Sequence, residues 1–89
     1  MRDLNNLNNS LEIEYPCLWK FKLIGKHAEA LRDAVEIVIN KENFLLSRSN
    51  KSSRGNYTSF DLSVQVMDEE HRQDVYNRLK NISEIAIIL

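Results

Sequence analysis

The sequence predicts an α+β domain in the order β-α-β-β-α-β, with two helices covering one face of a four-stranded antiparallel sheet. Two stretches, 18–24 and 58–67, alternate apolar and polar residues with the period of a strand. Two others, 27–41 and 69–81, place apolar residues at helical spacing, and each follows one of the alternating runs. At 89 residues the chain is long enough for one core with little to spare.

Residues 1–14 are rich in Asn and poor in core-forming side chains, and are expected to be a flexible lead-in to a single domain at 15–89. Tyr15-Pro16 favours extended backbone just before the first strand. In that strand Trp19, Phe21 and Leu23 share one parity and Lys20 and Lys22 the other, so the aromatic residues are expected inward; Gly25 ends it. Leu31, Ala34, Val35, Val38 and Ile39 then form the stripe of an amphipathic helix, with Glu29, Arg32, Asp33 and Glu36 on its wet side.

Phe44-Leu45-Leu46 begin a second strand that turns polar through 47–50, as an edge strand running out to a hairpin tip does. Gly55 and Asn56 tolerate the backbone of a tight turn. Behind them Phe60, Leu62, Val64 and Val66 alternate with Ser59, Asp61, Ser63 and Gln65, which are expected on the wet sheet face with Asp61 opposite Lys20 or Lys22. Asp68 is a suitable N-cap, and Glu69 and Glu70 suit the positive end of a helix dipole. The second helix is expected to bury Val75, Tyr76, Leu79 and the stem of Arg72, with a last strand over 84–89. Right-handed crossovers put the first and third strands in the centre, which is the ferredoxin-like split βαβ arrangement.

Tyr15-Pro16 before the Trp19/Phe21 strand, the run Lys51-Ser52-Ser53-Arg54-Gly55-Asn56-Tyr57-Thr58-Ser59 and the ending at 85–89 together resemble the YbeD family of small bacterial domains. The resemblance spans about residues 15–89, and the hairpin run is its most specific part. It implies a ferredoxin-like fold similar to the regulatory ACT domains, which bind small molecules or pair with other domains. The family carries no agreed catalytic or ligand residues, so the resemblance implies no site.

The composition weighs against several classes of function. No apolar run approaches the roughly 20 residues that span a bilayer, and the Asn-rich start lacks the apolar core of a secretory signal; a cytoplasmic location is expected. Cys17 is the single cysteine, which excludes an internal disulfide and a cysteine-based zinc cluster. The loop Gly25-Lys26-His27 has no Cys-x-x-Cys for metal transfer and no Arg for an acylphosphatase-type phosphate cradle. Arg54-Gly55-Asn56-Tyr57 faintly echoes the third-strand signature of RNA-recognition modules, but Ser59, Asp61 and Ser63 follow where stacking aromatics are needed. His27 and His71 belong at opposite ends of the fold, as exposed helix-end residues that cannot share a metal. No nucleophile, base and orienter fall together, so neither an enzyme nor a cofactor is expected.

Charge is uneven in a chain of net −1: residues 20–54 carry +4 and the remainder −5. The first strand's loop and the hairpin tip lie at one end of a split βαβ fold, beside the start of the first helix. Lys26, His27, Lys51, Ser52, Ser53 and Arg54 are thus the candidate rim for an anion or an acidic patch on a partner protein. A regulatory or adaptor role through protein contact is the expected function, with an ACT-like sensor of a small anionic metabolite as the alternative and nucleic-acid binding a remote one. The last strand is apolar on both parities and has no Lys or Pro to block pairing. A weak homodimer at that edge or at the second helix is expected, unless the lead-in covers the edge.

Overall fold

The computed structural model describes residues 13–49 and 56–89. β1 (Cys17–Gly25) and β3 (Thr58–Val66) form the antiparallel pair at the middle of its sheet. β2 (Phe44–Arg48) joins the far side of β3 and β4 (Ile87–Ile88) the far side of β1, giving the order β2-β3-β1-β4. With α1 (Ala28–Val38) and α2 (Glu69–Lys80) this is the predicted ferredoxin-like arrangement, with the first and third strands central. Of the expected lead-in, residues 1–12 lie outside the described residues.

The register explains the core. Phe21 stands opposite Leu62, Leu23 opposite Phe60 and Trp19 opposite Val64, so both strands turn their apolar parity to one face. Leu31 and Val35 of α1, Ile39 just beyond it, and Val75 and Leu79 of α2 are buried in the same cluster. Ile39, Val66 and Ile82 are buried there too, while Trp19, Val38 and Ile85 pack at its margin. On the outer face Lys22 meets Asp61 at 3.5 Å, the cross-strand pair expected from the sequence.

Four expectations are corrected. The last strand is confined to Ile87–Ile88, because Ile85 donates its N–H back to the Ile82 carbonyl and residues 82–85 form a turn. Tyr76 is 40% exposed rather than buried, since the buried face of α2 is only as wide as Val75 and Leu79. Ser59 is 1% exposed rather than wet: it sits between Ile24 of β1 and Ser49, just beyond β2, and its Oγ has no hydrogen-bond partner among the described residues. His71 is half-buried and doubly bonded rather than an exposed helix-end residue.

His71 belongs to a clamp that joins the two helices. Asp68 caps α2 by accepting the His71 N–H at 2.7 Å. The Met67 N–H donates to His71 Nδ1 at 3.0 Å, so Nε2 carries the hydrogen that is donated to Glu42 at 2.7 Å. Arg78 donates to the other Glu42 oxygen, to Asp74 and to the Val38 carbonyl at the end of α1. Burial raises the Glu42 pKa, but the hydrogen bonds from Arg78 and His71 and the charge of Arg78 outweigh it and hold the carboxyl below its ordinary value. Arg78 is held above its ordinary value, chiefly by the hydrogen bond to Glu42.

Three outcomes test this account. Phe21→Ala or Leu62→Ala should each cost about 2–5 kcal/mol in denaturant unfolding. Gly25→Ala should destabilise as well, because a Cβ there would meet the Glu84 carbonyl oxygen and sit 2.6 Å from Leu31 Cδ1. For Glu42, whose native pKa is depressed, the stabilisation is complete above the ordinary carboxyl pKa and is lost as pH falls through the lower native value. The stability gap between wild type and Glu42→Gln should therefore be widest near neutrality and narrow below about pH 4.5. A gap that stayed constant down to about pH 3 would show that Glu42 acts by shape and not by charge.

Candidate functional site

The expected rim is built at the end of the sheet where β1 stops. Gly25 is packed beneath the Glu84 carbonyl and Leu31, so the chain passes from strand to helix through Lys26 and His27 alone. His27 is the N-cap of α1 in extended backbone, and its side chain makes no capping hydrogen bond. The first-turn amides of α1 thus lack the side-chain acceptor that Asp68 supplies to α2. Lys26 is exposed and places its Nζ 5.7 Å from the centre of the Tyr57 ring, tying the end of β1 to the start of β3.

β2 leaves the sheet at this same end through Arg48, which donates to the Thr58 hydroxyl at 3.1 Å as β3 returns. Lys51, Ser52, Ser53 and Arg54 belong to the connection between them and lie outside the described residues. Of the six rim residues, the structure therefore positions Lys26 and His27.

Two polar clusters escape a reading of the sequence. One is the Glu42–His71–Arg78 clamp at the opposite end of the domain from His27. Both His71 ring nitrogens are committed there, one to the Met67 N–H and one to Glu42, which leaves no free nitrogen to serve as a base. The other centres on Arg72, whose guanidinium lies 4.5 Å from the centre of the Trp19 ring. Its Nε donates to the Tyr15 hydroxyl at 3.3 Å and its Nη2 to Glu69 at 3.1 Å. The Tyr15 hydrogen bond, partly offset by burial, holds Arg72 above its ordinary pKa. Only the Asp68 cap and the Arg72 stem were visible locally; the partners are 29 and 57 residues apart in the two decisive bonds.

Among the described residues no three of His, Cys, Asp and Glu are placed to hold a metal ion. Cys17 is a half-buried free thiol at the start of β1. No described helix is long and apolar enough to cross a membrane. The outward positions of the sheet are Leu18, Lys20, Lys22 and Ile24 on β1, Leu45 and Ser47 on β2, and Ser59, Asp61, Ser63 and Gln65 on β3. None is aromatic.

Comparison with known proteins places the chain among small bacterial proteins. The model of a family described as a protein of unknown function, DUF493, matches residues 10–89. A UPF0250 protein of Shewanella oneidensis is 32% identical over 79 residues, covering 86% of this chain and 90% of that protein. An uncharacterized protein of Campylobacter jejuni is 29% identical over 80 residues, covering 90% and 92%. The solution structure of protein HP0495 from Helicobacter pylori superposes with a TM-score of 0.70 at 25% identity, over 88% of this chain and 86% of that one. The resemblance read from the hairpin run and the strand ends is borne out, and the chain belongs to the DUF493/UPF0250, YbeD-like family of small bacterial proteins of unknown function.

Proposed function

We propose that this chain is a non-catalytic regulatory or adaptor domain that acts through contact with another protein. The observation that carries the reading is the β1 end of the domain. There Lys26, His27 and a helix start without a side-chain cap face outward, at the end from which the Lys51–Arg54 hairpin also departs. A positive helix end beside Lys26 suits an acidic patch. The outer sheet face lacks the aromatic platform that single-stranded nucleic acid requires, which favours a protein partner over RNA.

A second reading keeps the same end and changes its ligand: the uncapped start of α1 suits the phosphate or carboxylate of a small metabolite. We place the protein in the cytoplasm on this account, as a monomer with a weak tendency to pair through the open side of β4. Ile87 is exposed there, and no described strand covers it.

The test is a triple charge reversal, Lys26→Glu with Lys51→Glu and Arg54→Glu, compared with wild type in a pull-down from lysate. The variant is expected to fold, because Lys26 is exposed and the other two belong to a hairpin connection, and to lose the wild-type partner. Retention of that partner with unchanged affinity at low salt removes the rim as the site. A thermal-shift response to an anionic metabolite, abolished in the same variant, favours the second reading.

A further inference from the structure

We infer that the outward face of α1 and the end of α2 form a docking groove for a basic amphipathic helix of another protein. The inference concerns a different surface from the rim and stands without it.

The groove follows from how α1 meets solvent. Leu31 and Val35 fill its inner face, so the helical period turns Ile37 outward, where it is 71% exposed. On one side of Ile37 a hollow of about 360 Å³ lies between α1 and the end of α2, floored by Ala34, Val38 and Ile82. On its other side a hollow of about 350 Å³ is edged by Asp33, Glu36 and Asn40. An exposed isoleucine is ordinary by itself. One with a hollow on each side is a ridge that the groove of a second helix can seat.

This track is negative. Asp33, Glu36 and Glu84 line it, and none of the three forms an ion pair among the described residues. Glu84 accepts only the hydroxyl of neighbouring Ser83. Among the described residues the one cation lining the track is Arg78, and its guanidinium is already bonded to Glu42, Asp74 and the Val38 carbonyl. Three carboxylates thus stand beside apolar surface without a counter-charge. A partner that covers this surface must bring Lys or Arg on the flanks of its apolar anchors. It is a helix, because the walls are helices whose backbone groups are bonded internally and offer no edge to a strand.

The chain itself supplies no such helix. Residues 1–12 carry Asp3 and Glu12 against Arg2, and would add negative charge to the track. In a second copy, α1 sets Glu29, Asp33 and Glu36 against Arg32, while Arg72 and Arg78 of α2 are bound within their own domain. Exposed Lys26 of that copy lies in a loop. The occupant is therefore a different protein.

The test titrates the isotope-labelled full chain with a capped amphipathic helix of about four turns, leucines on one face and lysines on both flanks. Saturable shifts in the amides of Asp33, Ile37, Ser83 and Glu84 are expected. The same helix with glutamate for each lysine should bind at least about tenfold more weakly. Ile37→Ser, at a site outside the core, should weaken binding about five- to tenfold. Asp33→Asn with Glu36→Gln and Glu84→Gln should weaken it about three- to tenfold and flatten its salt dependence. Equal affinity for the two helices, shifts that map elsewhere, or wild-type affinity in the Ile37→Ser protein overturns the assignment. Movement of the groove amides without peptide, in a full chain carrying Leu4→Ser, Leu7→Ser and Leu11→Ser, also overturns it by giving the track to the leading segment. A mass that doubles with concentration in wild type but not in Ile37→Ser overturns it by giving the track to a second copy.

Discussion

The β1–β3 ladder is the constraint on which the rest of the molecule depends. It pairs Cys17 with Val66 at one end and Gly25 with Thr58 at the other, without a break between. Because successive strand residues point to opposite faces, this one register decides which side chains the helices must cover. A slip of one residue would turn Phe60, Leu62 and Val64 into water and bring Asp61 into the core. The helices then follow from the inner face: Leu31, Val35, Val75 and Leu79 are the residues that can reach it. Even the route into α1 is set here, since Gly25 must pass under the Glu84 carbonyl.

That ladder was also the most legible part of the sequence. Trp19, Phe21, Leu23 and Phe60, Leu62, Val64 declare their faces by alternation alone, because each strand has one dry side and one wet side. The ends of the chain's elements were less so. The run at 84–89 has strand composition throughout, yet the bond from Ile85 to the Ile82 carbonyl turns half of it into a loop. Tyr76 has the right chemistry for a core and the wrong angle on α2. Ser59 shows the converse case, a polar residue on the wet parity that its sheet neighbours nevertheless enclose.

The sites were legible only where their residues are neighbours in the chain. Lys26 and His27 could be placed because a two-residue loop between strand and helix has one possible position. Glu42 with His71, and Tyr15 with Arg72, meet only once the helices have packed, and nothing around any of the four announces the other. The two clusters also do different things with similar groups. Glu42, with only 12% of its side chain exposed, uses both oxygens on Arg78 and His71, so its bonding is spent on joining the helices. Arg72 keeps one face on Trp19 and bonds Tyr15 and Glu69, so it ties the start of β1 to α2.

The brevity of β4 has a consequence for motion. Its attachment to β1 rests on a few backbone bonds near Lys22 and Ile24, whereas β1 and β3 share an unbroken seam. Cooperative opening in a small domain starts where the fewest bonds must be given up together. Release of β4 would therefore give up fewer bonds than release of any other strand, and would leave the β2-β3-β1 sheet paired as it is. No other described strand lies on that side of β1. The two isoleucines of β4 thus hold the least secured edge of the sheet.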